Sequence, residues 1–337
     1  MQTGSVRRKV QFWLGMGVSL ACLALIFVFV KPADVLVVLK TVHLGYLGLS
    51  GLGILTFMVL RAVRWRILLN GDVPYGRVFH VQNIGYMLLN TLPFRVGDLA
   101  RAFLIGRIPP VSATRGLSTL VVERILDLLF IVLLVPLTAG QLQRLPAEVT
   151  SAVRLSGIAA ATAIVALIIA ANQRTLVRRL ATAALKRLPF LNATTWARRI
   201  DELLAGFSGL SRLGQGLTLG LLTIVTWLPI IAAYYNGMLA VGLRPTVVMA
   251  AFVVCAAGFT VSAPSSPGQV GVFHAGVTFA LVQLLGQPAA ASASFALLYH
   301  ALNLVLMVLL GLIGVWVTDA TLYQVFHFTK VYSRTTD

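Results

Sequence analysis

Two short stretches of the chain carry charged residues where their neighbours are apolar. Arg95, Asp98 and Arg101 form the first group, and Glu123, Arg124 and Asp127 form the second. Asp98 and Arg101 are three apart and Glu123 and Asp127 are four apart, spacings that put each pair on one helix face. A guanidinium is a planar fork of donors that can grip phosphate oxygens bidentately. Arg95 and Arg101 are therefore candidates to bind an anionic headgroup, with Asp98, Glu123, Arg124 and Asp127 organising the site. The carboxylates could also take up protons, or the whole set could close on itself as a structural ion-pair network without a ligand. In the second half of the chain the corresponding polar residues are His274 and His300. Histidine titrates near neutrality, so these two join Glu123 and Asp127 as candidates for proton coupling. A neutral hydrogen-bonding role is the plainer reading of a histidine in such a setting.

Other chemistries lack their residues. No Gly-Lys-Ser/Thr phosphate loop is present, no His/Cys/carboxylate cluster has metal-ligand spacing, and Ser262, Ser265 and Ser266 stand outside any nucleophile-elbow pattern. No cofactor or metal is expected. Cys22 and Cys255 lie far apart in apolar segments and read as small buried side chains.

The elements that must position these residues are membrane helices. Of 337 residues, 58% are apolar and 11% charged, and 245–318 contains no Asp, Glu, Lys or Arg. A soluble domain carries roughly a quarter charged residues, so water is not the solvent for most of this chain. The net charge of +17 needs no nucleic acid, because the basic residues fall mainly between apolar runs and can face anionic inner-leaflet lipids. Spanning helices of about 20 apolar residues are expected at 12–30, 44–66, 116–140, 152–171, 215–241 and 289–318. The first lacks a convincing cleavage site and reads as a retained helix rather than a leader.

Two further apolar stretches are interrupted. The stretch 78–107 breaks at Asn90-Thr91-Leu92-Pro93-Phe94-Arg95-Val96-Gly97-Asp98, and 246–286 breaks at Ser262-Ala263-Pro264-Ser265-Ser266-Pro267-Gly268. Each reads as a re-entrant hairpin of two half-helices, although two tilted full spans stay open for 246–286. The fold expected is thus an all-α polytopic membrane protein with about six transmembrane helices and two re-entrant broken-helix hairpins. With a cytoplasmic N-terminus, 19 of the 27 Lys and Arg fall inside and five outside, which places both termini in the cytoplasm. Residues 172–214 read as a basic amphipathic connector on the inner leaflet.

Pro93-Phe94-Arg95-Val96-Gly97 matches Pro267-Gly268-Gln269-Val270-Gly271 at three of five positions. The charge count makes the two hairpins enter from opposite sides, the arrangement of inverted-repeat transporters. The expected units within the single membrane domain 1–337 are 44–140 and 215–318. Non-helical backbone at membrane depth must be buried in protein or line a wet cavity. Half-helices starting after Pro93 and Pro267 would point free N–H groups into that cavity, with Ser266, Gly268, Gln269 and Gly271 as the donors of the second side. Arg61, Arg64, Trp65 and Arg66 read as an interfacial anchor at the inner end of the second span.

These pieces, with Arg61-Ala62-Val63-Arg64-Trp65, Glu123-Arg124-Ile125-Leu126-Asp127 and Ala263-Pro264 to Val272-Phe273, resemble the lysylphosphatidylglycerol synthase transmembrane-region family, also called the flippase-like domain family. The resemblance runs over roughly residues 10 to 320. It implies a lipid translocator of the cell (inner) membrane in a stand-alone form without the aminoacyl-transferase domain. It also leads us to expect an acidic residue where this chain has His274, and an arginine in the last long span where it has His300. If those positions pair, a His–His pair replaces an ion pair. The expected function is a flippase for a phospholipid or polyprenyl-phosphate headgroup, not an enzyme. An integral-membrane lipid-modifying transferase is the alternative, and a small-solute transporter is a third reading. Gly311 and Gly314 are too common a pattern in membrane helices to indicate a dimer, so a homo-oligomer stays open.

Overall fold

The structure, a computed structural model, describes residues 30–92, 96–140, 213–261 and 267–318, together with single positions elsewhere. The expected spans 12–30 and 152–171 and the connector 172–214 lie essentially outside the described residues, as do Arg95 and Ser266. The described residues are helical, in the order α1 (Pro32–Lys40), α2 (Leu44–Leu68), α3 (Tyr75–Thr91), α4 (Val96–Ile105), α5 (Ala113–Ala139), α6 (Leu213–Ala240), α7 (Val247–Val261), α8 (Val272–Phe279) and α9 (Ala289–Val317).

Local sequence explains where these helices begin and end. Pro32 opens α1, with Asp34 in its first turn and Lys40 in its last, both complementing the helix dipole. The Ser112 side chain caps α5 by accepting from the Arg115 amide at 3.2 Å. α3 stops at Thr91, and Leu92 is extended (φ −111°, ψ 147°). A residue before proline is disfavoured in the helical region, and Leu92 precedes Pro93. The second break turns through Gly268 (φ 68°), Gln269 (φ 59°) and Gly271 (φ 87°). Glycine holds such angles freely, whereas Gln269 pays roughly 1–2 kcal/mol for them.

Among the described residues, three helices are long and apolar enough to cross a membrane: Leu44–Leu68, Gly216–Ala240 and Ala289–Val317. α5 has 27 residues, about 40 Å at 1.5 Å per residue, but it carries Arg115, Glu123, Arg124 and Asp127. α4, with ten residues, is about 15 Å long, half of a hydrocarbon core. α7 has 15 residues and α8 has eight, prolonged by a π-helical turn over Ala280–Leu284.

One order of lengths therefore runs twice: long, short, short, long in α2–α5 and again in α6–α9. The packing between the two sets is reciprocal. The first helices, α2 and α6, meet where Ser50 Oγ donates to the Ala233 carbonyl at 2.8 Å. The last helix of each set lies on the second helix of the other. In α9, Gly311 and Gly314 face the Asn83 and His80 carbonyls of α3, and added Cβ atoms would come within 3.0 and 2.9 Å of them. In α7, a Cβ on Gly258 would come within 2.9 Å of Ile131 in α5, and Cys255 Sγ lies 3.9 Å from the Ile131 carbonyl. Gly311 and Gly314 are thus occupied inside the chain.

The tightest approach is between α3 and α4. A Cβ on Gly97 would collide with the Gly85 carbonyl and come within 2.6 Å of the Leu89 amide nitrogen. Backbone atoms cannot swing aside, so Gly97→Ala must push the two helices apart. It is expected to lower stability by about 1–3 kcal/mol, seen as a depressed unfolding temperature in detergent. Gly220→Ala, with nothing within 4 Å of the new methyl group, is expected to leave stability unchanged or raised by up to about 1 kcal/mol.

Candidate functional site

The pairing of α3 and α4 through glycine brings Arg101 under α2. Arg61, Arg64 and Trp65 share one face of α2, Glu123 and Asp127 share one face of α5, and Thr223 and Trp227 share one face of α6. These faces converge on a single enclosed cluster. Arg101 grips Glu123 with both terminal nitrogens, at 3.1 Å to Oε2 and 3.4 Å to Oε1, and its guanidinium stacks 4.3 Å above the Trp65 ring. Arg61 donates to both carboxylates, in a close contact with Glu123 and at 2.8 Å to Asp127. Arg64 reaches Asp127 at 2.7 Å and Thr223 at 3.2 Å. The Trp227 indole N–H donates to the same Asp127 oxygen as Arg64, at 3.2 Å.

All five charged residues are buried: Arg64 is 0% exposed, Arg101 and Glu123 1%, Arg61 and Asp127 6%. Taking ions out of water is costly, and it is repaid only where the pairing is close and hydrogen-bonded. The pairing here is close but not balanced. Within the described residues of this cluster, three guanidiniums face two carboxylates. The Nε atoms of Arg61, Arg64 and Arg101 and the hydroxyl of Tyr86 are buried without hydrogen-bond partners. The cluster therefore keeps a surplus positive charge and spare donors.

The expected site residues separate into three places. Arg101, Glu123 and Asp127 come together as described. Asp98 and Arg124 pair with each other instead, at 3.0 and 3.2 Å, on a half-exposed flank. The interfacial-anchor reading of Arg61 and Arg64 is corrected by their burial: both lie in the cluster, bound to Glu123 and Asp127. Their i, i+3 spacing was visible in the sequence, but their place near a helix end reads equally as a membrane boundary. Tyr86 and Trp227, which also complete the cluster, carried no signal apart from being aromatic.

The residues of the second break lie in a different place. The Gly271 N–H, expected to be free, donates to His274 Nδ1 at 3.2 Å. His274 Nε2 then lies 3.0 Å from His300 Nδ1. A ring nitrogen that accepts carries no proton, so His274 is protonated on Nε2 and donates to His300. His300 also meets the backbone of Gly268. The pair expected from the resemblance is thus in contact, and it ties the second break to α9 without a permanent charge.

Between the two clusters lies a cavity of about 180 Å³. Phe57 and Trp227 form the wall towards the arginines; Asn90, Gln269, His300 and Asn303 supply polar groups on the remaining sides, with Tyr234 and Tyr299 beside them. Gly268 abuts the Asn90 carbonyl, an added Cβ coming within 3.1 Å of it, so the second break touches the end of α3. A cavity with apolar walls and a few convergent polar groups is the usual form of a binding site.

The two kinds of ion pair should respond differently to loss of a carboxylate. Glu123→Gln leaves Arg101 without a buried counter-charge and Arg61 with Asp127 alone, and is expected to cost about 3–5 kcal/mol. Asp98→Asn removes a half-exposed partner and is expected to cost at most about 1 kcal/mol. Thermal unfolding of the two variants in the same detergent checks the difference.

A family model described as lysylphosphatidylglycerol synthase TM region matches residues 12–311. Searches of curated proteins and of solved structures each found no match. The match runs through both sets of helices and through the cluster and cavity between them. This multi-pass helical membrane protein belongs to the lysylphosphatidylglycerol synthase transmembrane-region family.

Proposed function

We propose that this protein moves a lipid-phosphate headgroup across the cell membrane, through the cavity between its two sets of helices, while the acyl or prenyl tails stay in the bilayer. The observation that carries this reading is the surplus charge of the buried cluster. A phosphodiester carries one negative charge and presents oxygens to donors. It would neutralise the surplus left by Arg61, Arg64 and Arg101, and could draw on their unpartnered Nε–H groups. The family's link with membrane lipids points the same way.

On this reading α3–α4 and α7–α8 are re-entrant hairpins of an inverted repeat, with both termini cytoplasmic. The repeated order of helix lengths and the reciprocal packing support it, since inverted repeats place their sites where broken helices meet. Trp227 separates the cavity from the arginines and holds Asp127, so a phosphate reaching Arg61 or Arg64 must displace its indole. Asp127 is shared by Arg61, Arg64 and Trp227 and can release one of them while keeping the others. Glu123, Asp127, His274 and His300 are the groups available to couple this exchange to protons, and Arg95 and Ser266 would complete the two breaks.

The test is lipid movement in vesicles. With fluorescent phosphatidylglycerol, the protein is expected to expose inner-leaflet lipid to dithionite faster than empty vesicles do. Arg61→Lys keeps the charge but loses the fork; it is expected to slow this exposure about tenfold or more, the loss of one charge-assisted hydrogen bond, with folding confirmed by thermal unfolding. No movement of any phospholipid or polyprenyl phosphate, with or without a pH gradient, sinks the proposal. Conversion of a labelled lipid into a new product would favour a transferase instead.

A further inference from the structure

The cavity and the arginine cluster have opposite chemistry. Among the described residues, no Asp, Glu, Lys or Arg lines the cavity, although five charged side chains lie just behind Phe57 and Trp227. Its polar groups are amides, tyrosines and His300, one member of the uncharged histidine pair. Taking the lipid-translocation reading as the premise, we propose that the cavity seats the part of the headgroup beyond the phosphate, and that this part is an uncharged, hydroxyl-bearing group such as glycerol or a sugar.

The hydrogen-bonding inventory supports this. Asn90 Nδ2 is engaged inside the protein, donating to the Tyr86 carbonyl at 2.8 Å and lying 3.0 Å from Met307 Sδ. Asn303 Nδ2 faces the same sulfur at 3.7 Å. The amide oxygens are left as acceptors for hydroxyl protons. Gln269 adds an amide from a residue held at a positive φ of 59°, a backbone state that side chains other than glycine adopt rarely and keep mainly where surrounding structure requires it. Alcohols can donate to the amide oxygens of Asn90 and Asn303 and also accept from an amide N–H such as that of Gln269.

An amine headgroup fits less well. An ammonium buried without an anion is costly, no carboxylate among the described residues lines the cavity, and the surplus charge of the cluster opposes a further cation. Aromatic walls can bind a quaternary ammonium through their faces, but Arg61 already stands 5.2 Å from the centre of the Phe57 ring. The cavity volume of about 180 Å³ has room for several waters or one small polar group, and none for a lipid tail.

The test uses the full chain in two assays with one set of lipids: phosphatidylglycerol, a glucosyl phosphoryl polyprenol, phosphatidylethanolamine, phosphatidylcholine and lysyl-phosphatidylglycerol. In detergent, short-chain or soluble forms are compared for the rise in unfolding temperature they cause; in vesicles, fluorescent forms are compared for dithionite accessibility. The hydroxyl-bearing headgroups are expected to stabilise the protein and to move at least about tenfold faster than the amine-bearing ones, the effect of one or two hydrogen bonds made or left unmade. Whichever of the glycerol and sugar lipids leads identifies the source. Asn303→Asp, nearly isosteric, places a carboxylate in the cavity and is expected to shift the preference towards phosphatidylethanolamine. Equal movement of all headgroups, or a wild-type preference for amines, overturns the headgroup assignment and leaves translocation standing. Selective stabilisation by hydroxyl-bearing lipids without movement of any lipid overturns translocation and leaves the assignment standing.

Discussion

Glu123 and Asp127 hold three guanidiniums away from water, and much of the first set of helices is arranged to make that tolerable. An ion removed from water needs partners at hydrogen-bond distance in nearly every direction. Arg61 and Arg64 come from α2, Arg101 from α4, the carboxylates from α5, and Trp227 and Thr223 from α6, so four helices are fixed by one electrostatic requirement. Trp65 and Tyr86 fill what the carboxylates leave, with Arg101 stacked on the first and within 5.2 Å of the centre of the second. The glycines at 85 and 97 belong to the same requirement. Without their backbone contact α4 would stand off from α3, and Arg101 could not reach under α2 to Glu123.

A second constraint acts on the other half. A break in a helix exposes N–H and C=O groups that lipid cannot satisfy. At the break after Pro267 side chains take up such groups: Gly271 donates to His274, His274 to His300, and His300 meets Gly268. The two sets of helices thus carry different chemistry at their centres, one charged and one neutral. Phe57 and Trp227 stand between the charged cluster and the cavity, and His300 lines the cavity on the neutral side. On the proposed function this division has a simple sense, with phosphate on the charged side and the rest of the headgroup on the neutral side.

Much of the fold was legible from local sequence. The break before Pro93 follows from what proline does to Leu92, and the glycines of Pro267-Gly268-Gln269-Val270-Gly271 mark the positive φ angles found there. The long helices at 44–68, 213–240 and 289–317 could be placed from hydropathy alone. Glu123 and Asp127 were recognisable because a carboxylate in an apolar helix needs a partner. Arg101 was recognisable as one such partner; Arg61 and Arg64 were not. Arg95, Arg101 and Arg124 were nearest in sequence, yet Arg124 pairs with Asp98 on the flank, while Arg61 and Arg64, some sixty residues away, share the carboxylates with Arg101. An arginine near a helix end looks the same whether it reaches for a headgroup or turns inward, since both leave identical hydropathy.

The sequence by itself determined the membrane setting, the sites of helix interruption and the presence of charges needing internal compensation, because each follows from a residue and its near neighbours along the chain. Only the tertiary structure decided which charges meet, that three cations share two anions, that His274 and His300 touch, and that a neutral cavity lies beside a charged cluster. Those outcomes depend on how helices far apart in sequence are brought side by side. That is set by the small residues at 85, 97, 258, 311 and 314, which permit close approach without recording what is approached.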